Sequence, residues 1–544
     1  MNFVVNYYTR VKRNICISGY RKITQSNKIW MLRRVQESLV DCHFEAIDNY
    51  ALDKIYNASK TNAELITRQF LLQRHSGTKM NDALLYSIGN ESKIVYPLPK
   101  EWRETLKENG FQIDTIKSMI LWVGLIALYF GYGVLFIGRC VINSLSSIFK
   151  KQSLDPGKYA YFENLMPGNL PQPDKTGNSY DIVSWYSKWD GCAKDLSSIC
   201  HGVQNVVPTI VGGIRVECID PPFKYLYSFK SLIQFILWGV AAIPIVAIDA
   251  LRGRWWHALI LAEAAKAKVV QLTDPDALAC DYLFHYSGTI YKPMWTYETE
   301  KIGSRIICYF YSTSEQVKLP GGYESQRYEW GAASWPHYLV WDHFQAEMIR
   351  RDIDLNASIH VVGPIWFSTS SDELPEIPER SIAVFDIQPQ NETSYRGFTT
   401  LADYVVQNPK LHIDFLNDIK DLLSDLDVTM VFKRKREIDK KRTVKEYAEL
   451  VNKFSDTNDV IMINPSISPI KVIEKCKGII SMPFTSTALY MRDQGIPSIY
   501  YDPTGWIHKD DRGAHGIPIV SGIEELRDWV FSIFKNDIKT NIAQ

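Results

Sequence analysis

Apolar residues along this chain fall into two kinds of run, long and uninterrupted in the first half, short and regularly spaced in the second. Ser118–Gly138 (SMILWVGLIALYFGYGVLFIG) carries no charge between Lys117 and Arg139. As a helix it would measure about 31 Å, enough for a hydrocarbon core, with a buried core helix as the alternative. A second uncharged run, Ser231–Ile248, is shorter and holds Gln234 and Pro244. If only the first run crossed a bilayer, the two ends of the chain would lie on opposite sides. The pair therefore either crosses together or lies in the interface as an in-plane anchor. The stretch between them, with YDIVSWYSKW and strand-like VPTIVGGIRV, reads as globular and favours the in-plane arrangement.

From about residue 265, short β-branched or aromatic runs alternate with helical stretches. KVVQL, RIICYFYS, HYLVW and SIHVVGPI are read as strands of a first series. TSSDELPEIPER then reads as a linker. A second series follows with strands in SIAVFDIQP, VTMVFK, DVIMIN, GIIS and PSIYYD, and helices in Thr400–Asp425, TVKEYAELVNKF, SPIKVIEKCK, PFTSTALYMRDQG and GIEELRDWVFSIF. Strands alternating with helices imply βαβ units and parallel sheets. Continuous apolar strands suit sheets covered on both faces. The expected class is α/β, two Rossmann-like domains facing across a cleft, with membrane-associating helices in the N-terminal half. The expected divisions are a basic, mostly helical region 1–115, a first Rossmann-like domain 116–367, a linker 368–380, and a second Rossmann-like domain 381–536.

The composition fits. The 544 residues suit two or three domains of about 100–200 residues each. Lys+Arg and Asp+Glu both number 61, so no basic surplus points to nucleic acid. Residues 1–40 are nonetheless basic, which suits either a solvated face or attraction to anionic lipid. Nine cysteines without a Cys-x-x-Cys suit reduced thiols in a cytosolic setting. The start of the chain lacks the pattern of a signal peptide.

Candidate chemistry concentrates after the late strands. IIS ends at Met482-Pro483, and Thr485, Ser486 and Thr487 then open a helix. The first N–H groups of a helix lack partners and carry partial positive charge, so this is a candidate phosphate site; the plainer reading is ordinary helix capping. PSIYY brings Asp502 and Thr504 to the same edge. Lys433, Arg434, Lys435 and Arg436 follow VTMVF, where alternate residues point to opposite faces. They read as a solvated charge run, or as Lys433 and Lys435 neutralising a diphosphate. In FDIQPQNETSY, Asp386 sits in the strand, and Asn391, Thr393 and Ser394 read mainly as turn residues. Glu298 and Glu300 lie among Trp295 and Tyr297, surroundings that raise a carboxylate's pKa and suit a general base. Asp342 and His343 follow a strand, with a helix cap as the alternative for Asp342. Asp274 and Asp276 form a D-x-D better read as a turn than as a metal site.

MPFTSTA, IYYDPTG and GIPIVSG, together with KPMWTYETE, CYFYST, VWDHFQAEMIRR, VVGPIWFS, AVFDIQP and VFKRKR, resemble the bacterial surface-polysaccharide biosynthesis family named for its PFTS motif. The resemblance covers about residues 155–530 and leaves out the first apolar run and the basic N-terminus. The family is associated with capsule, O-antigen and similar glycans, and is similar in layout to GT-B glycosyltransferases. The resemblance implies a nucleotide-sugar site at Pro483, Phe484, Thr485, Ser486 and Thr487.

The sequence is thus expected to encode a glycosyltransferase moving a sugar from a nucleotide donor to a glycan or lipid-linked glycan acceptor at the cytoplasmic face of the membrane. Glu298 or Asp342 would act as base, and Lys433, Lys435 and the residues after Met482 would bind the donor, with no cofactor and no metal required. The density of hydroxyl and lysine donors inclines the choice toward a CMP-linked acidic sugar over a UDP-sugar. A nucleotide-sugar 2-epimerase and a non-catalytic assembly protein are the alternatives.

Overall fold

The computed structural model describes residues 2–26, 28, 30–44, 60–150, 157–165, 167–171, 181–223, 225–285, 292–310, 312, 318, 333–353, 356–365, 373–395 and 408–541. Residues 368–372 of the expected linker, and 400–407 of the helical pair expected across Thr400–Asp425, lie outside them. The chain divides into two compact units: Met1–Tyr311, Arg327–Asp342 and Ala346–Ile365 form the first, and Ser312–Gln326, His343–Gln345 and Trp366–Gln544 the second.

The first unit opens with five helices, α1 (Asn2–Gln25), α2 (Trp30–Val40), α3 (Lys60–His75), α4 (Thr78–Gly89) and α5 (Lys100–Glu108). Much of the basic region is therefore packed structure. Gly19 of α1 and Gly89 of α4 face each other so closely that a Cβ on either would overlap the partner helix's backbone. Then come α6 (Thr115–Lys150), strands β1 (Tyr159–Glu163), β2 (Ser198–His201), β3 (Thr209–Val211) and β4 (Ile214–Cys218), with α7 (Ile182–Ser187) after β1. Helices α8 (Phe229–Leu251) and α9 (Trp256–Gln271) follow, then β5 (Asp281–His285), α10 (Thr296–Ile302), β6 (Arg305–Tyr309), β7 (His337–Val340), α11 (His343–Asp352) and β8 (Ser358–Val361).

These eight strands form one sheet in the order β3-β4-β2-β1-β5-β6-β7-β8. All neighbours run parallel except the edge hairpin β3–β4. The order reverses between β1 and β5, which is the topological switch point of this sheet. KVVQL is not a strand: it continues α9, where Ala262, Ala264, Ala265 and Ala267 precede it. Alanine-rich helix propagation outweighs the preference of two valines for a sheet.

The two long apolar helices are α6 and α8, and both are mostly exposed along their apolar windows. Leu135 is 74% and Val240 67% exposed. The pair is antiparallel: the ring of Phe149 lies 6.1 Å from that of Phe229, and Gly239 packs on Ile137. Both ends of each helix return to the same folded unit. Strands β1–β4 lie between them in sequence, and β1 pairs with β5, which comes after α8. Gln69, before α6, donates to Ser334, after α8, at 2.7 Å. A single crossing by either helix would separate segments that are in contact.

The second unit contains β9 (Ser381–Phe385), α12 (Pro409–Asp425), β10 (Thr429–Lys433), α13 (Lys445–Phe454), β11 (Val460–Ile463), α14 (Pro469–Ile473), β12 (Gly478–Ser481), α15 (Ser486–Asp493), β13 (Ser498–Asp502), β14 (Ile519–Ser521) and α16 (Gly522–Asn541). Its six strands are all parallel in the order β11-β10-β9-β12-β13-β14. This is the doubly wound order 3-2-1-4-5-6, with its switch point between β9 and β12. Ala383, Val431 and Ile479 sit in its core, as covered strands require.

Candidate functional site

The register of the second sheet aligns the carboxyl ends of three strands. Phe385 of β9 pairs with Lys433 of β10 on one side and with Ser481 of β12 on the other. Asp386 and Met482 therefore follow at one edge, beside the switch point, where ligands of such sheets bind.

After Met482, Pro483 and Phe484 are buried, and Phe484 has φ +61°. A non-glycine residue in the left-handed region costs about 1–2 kcal/mol, a strain that clusters at functional sites. The ring of Phe484 rests 5.9 Å from that of Tyr500, which helps hold that conformation. Thr485 occupies the cap position of α15, yet its side chain caps nothing: the hydroxyl donates to the main-chain oxygen of Met482 at 2.8 Å. Among the described residues, no side chain caps the first N–H groups of α15 and the Ser486 hydroxyl makes no hydrogen bond. Thr487 lies 3.3 Å, oxygen to oxygen, from Ser481. Half-buried hydroxyls surround an open helix N-terminus, a ready receptor for anionic oxygens.

Two buried charges stand at the same edge. Asp386 is 3% exposed; burial pushes its carboxyl up to about 6, against the pull of the Tyr447 hydroxyl, Arg434 and Lys433. Tyr447 donates to one carboxylate oxygen, and the other has no hydrogen-bond partner among the described residues. Lys433 is also buried, and desolvation lowers its amine to about 8, against the influence of Asp386. Its Nζ donates to the main-chain oxygen of Pro465 at 3.1 Å. Lys435 is exposed.

Other candidates have local employment. Asp502, fully buried, accepts from the Thr504 N–H at 2.9 Å, the Thr504 hydroxyl at 2.7 Å and the Ile507 N–H at 2.8 Å. Asp502 and Thr504 thus fix the loop after β13, and their polar atoms mostly face each other. Asn391 caps a short turn through Thr393 N–H, and Asp274 likewise accepts from Asp276 N–H, the turn chemistry expected of both. In the first unit, Glu298 is buried on α10 and ion-paired with Lys301 at 2.8 Å. Glu300 pairs with Lys292, whose amine burial lowers. Asp342 is 6% exposed, just beyond β7, and its main-chain oxygen accepts the first helical N–H, from Ala346 at 3.1 Å. It therefore stands where a helix cap stands. Tyr447 and Tyr500 escaped sequence reasoning because nothing local distinguishes a packed tyrosine from one aimed at a site.

Residues 233–530, more than half of the chain, match the family described as "Polysaccharide biosynthesis PFTS motif protein", and the chain belongs to that family. No curated protein sequence matches it. Among solved structures, TarM is similar at 12% identity and a TM-score of 0.30, covering 51% of this chain and 52% of its own. The chain thus spans about half the length of TarM. The UDP-N-acetylglucosamine 2-epimerase from Rickettsia bellii is similar at 10% identity and a TM-score of 0.34, covering 70% of this chain and 88% of its own. The wall teichoic acid polymerase TagF is similar at 12% identity and a TM-score of 0.31, covering 73% of this chain and 92% of its own.

Proposed function

From membership of that polysaccharide biosynthesis family, we propose that the chain is a membrane-associated glycosyltransferase of bacterial surface-glycan assembly, such as capsule or O-antigen. It moves a sugar from a nucleotide donor to a glycan acceptor, with both units on the cytoplasmic side. One observation carries the reading: the Pro483–Thr487 turn opens an uncapped helix beside the switch point of a 3-2-1-4-5-6 sheet, at the same strand-end edge as the buried Lys433.

In this reading the N–H groups that begin α15, with the Ser486 and Thr487 hydroxyls, receive the donor's phosphate oxygens. Lys433 compensates the charge that develops on the leaving nucleotide, and the exposed Lys435 adds attraction. Pro483 and Phe484 set the turn, while Asp502 and Thr504 keep the neighbouring loop in shape. A lysine and a helix dipole supply the charge stabilisation, so the mechanism assigns no role to a metal. The N-terminal unit takes the acceptor. Of the two candidate bases, Asp342 is the better placed, beyond the carboxyl end of β7, whereas Glu298 is held by Lys301. A CMP-linked acidic sugar remains preferred over a UDP-sugar. The exposed faces of α6 and α8 lie in the membrane interface, in-plane, because both ends of each helix return to one unit.

The test is incubation of the detergent-purified protein with CMP- or UDP-sugars and a glycan acceptor, with product masses as readout. Transfer that falls roughly tenfold or more in the Lys433→Ala/Ser486→Ala double variant supports the reading. Conversion of UDP-N-acetylglucosamine to its 2-epimer without acceptor, seen by NMR, makes the protein an epimerase instead. Unchanged surface glycan in cells carrying the double variant at normal protein level makes it a scaffold.

A further inference from the structure

The first unit holds a cavity of about 760 Å³ that the donor site does not use. That volume suits a small ligand, and the cavity sits where the first sheet's order reverses. Glu163 ends β1, Phe284 lies near the end of β5, and both line it.

The walls differ in charge. The strand-end wall contributes Glu163 and Asp220; burial and Asp220 hold the Glu163 carboxyl above its usual range. The helical wall contributes Arg74 from the end of α3 and Arg139 from α6. Lys266 also lines the cavity, but Glu263 pairs with it at 2.8 Å. Arg74 and Arg139 make no hydrogen bond or ion pair among the described residues. The rings of Phe223 and Trp295, 5.3 Å apart and almost wholly buried, also line the cavity and give it an apolar floor.

Arg139 also has a special place along α6. It is the first charge after the apolar run 118–138. Around it the helix has two characters: Phe136, Asn143 and Ser147 face the cavity, while Leu135, Ile142 and Phe149 are exposed on the outside. The same turns that offer an apolar face to lipid therefore offer a guanidinium to the cavity. An arginine at the end of an apolar helical run is suited to meeting lipid phosphate.

We propose that this cavity binds the phosphate-bearing head of a lipid-linked glycan, with Arg74 and Arg139 on the phosphate, the first sugar above the apolar floor of Trp295 and Phe223, and the lipid tail left in the bilayer along α6. The assignment deepens the glycosyltransferase reading and rests on it for the acceptor's being a glycan. It makes the acceptor a substrate entering from the membrane side, at a site separate from nucleotide binding.

The experiment measures cosedimentation of the full chain with phosphatidylcholine vesicles, plain or carrying a few per cent of a long-chain isoprenyl phosphate. Wild type is expected to prefer the phosphate-bearing vesicles by roughly tenfold or more. Arg74→Gln/Arg139→Gln should lose that preference while still binding plain vesicles and keeping its nucleotide-induced melting shift. A control, Lys230→Gln/Arg252→Gln, removes exposed cations at the two ends of α8 and should keep the preference. Retention of the preference in the cavity variant, or its equal loss in the control, overturns the site. An equal preference for vesicles carrying the phosphate-free isoprenyl alcohol overturns the phosphate as the recognised group. Loss of the nucleotide shift in wild type sinks the donor reading and leaves this measurement standing on its own.

Discussion

The hydroxyl of Tyr500, in β13, donates to the main-chain oxygen of Thr485 at 2.8 Å, tying the turn that opens α15 to the neighbouring strand. Tyr500→Phe removes that donor and keeps the ring against Phe484. It is expected to cost about 1 kcal/mol of stability and to weaken nucleotide binding several-fold. Thermal unfolding with and without nucleotide checks both. Full affinity in the variant would mean that the turn holds its shape without Tyr500.

Lys433 predicts a pH dependence. Its amine titrates at about 8 in the fold, below its ordinary value, because of desolvation. The depressed value favours the neutral amine, so the folded protein gains stability as pH rises through about 8 and loses it as pH falls. Lys433→Met should therefore be the more stable form at pH 7, by up to roughly 3 kcal/mol, with the advantage vanishing by pH 10.5. Nucleotide affinity should run the other way, since only the ammonium form attracts phosphate: it should weaken as pH rises above 8 in wild type and lose that dependence in the variant. Isothermal titration across this range separates the two effects.

Asp386 has the opposite shift. Burial lifts its carboxyl to about 6, so the folded state holds the proton more tightly than the unfolded chain does. That contribution is fully present below pH 4 and is lost as pH rises through 6. Asp386→Asn should match wild type near pH 4 and exceed it at pH 7.5 by up to roughly 3 kcal/mol. Tyr447→Phe, which deprives the carboxylate of its donor, should cost about 1–3 kcal/mol at pH 7.5. Chemical denaturation at the two pH values gives both numbers.

The in-plane anchor has its own test. Leu135 and Leu237 are exposed apolar residues on α6 and α8. Leu135→Glu with Leu237→Glu should shift the protein from the membrane pellet to the supernatant. Each leucine lost from an apolar environment removes about 1.5–3 kcal/mol of attachment. Melting temperature should change little, because neither side chain is in the core. Fractionation that leaves the variant wholly in the pellet would contradict the assignment.

The second unit was the more legible half. Its strands are continuous apolar runs alternating with helical stretches, so Ser381–Phe385 through Ile519–Ser521 fall within or beside the expected runs wherever a strand was named. KVVQL misled because two valines resemble a strand at short range, while the alanine run before them had already set a helix. The edge order of residues at the candidate site follows from strand alternation, which is why Lys433 and Thr485–Thr487 could be singled out. What Asp386, Tyr447 and Tyr500 do could not be read, because each depends on a contact between residues at least 15 positions apart. The cavity of the first unit was hidden for the same reason. Arg74, Arg139 and Glu163 come from α3, α6 and β1, and Asp220 from the loop after β4, and no spacing links them.

The most direct measurement is a thermal-shift panel of CMP, CDP, UDP, GDP and dTDP on wild type and on Ser486→Ala/Lys433→Ala. A ligand bound only by the native state raises the melting temperature by mass action. The account predicts that one nucleotide class, with CMP or CDP expected first, stabilises wild type and that the double variant loses the shift. No shift with any nucleotide, or an equal shift in both proteins, would contradict it.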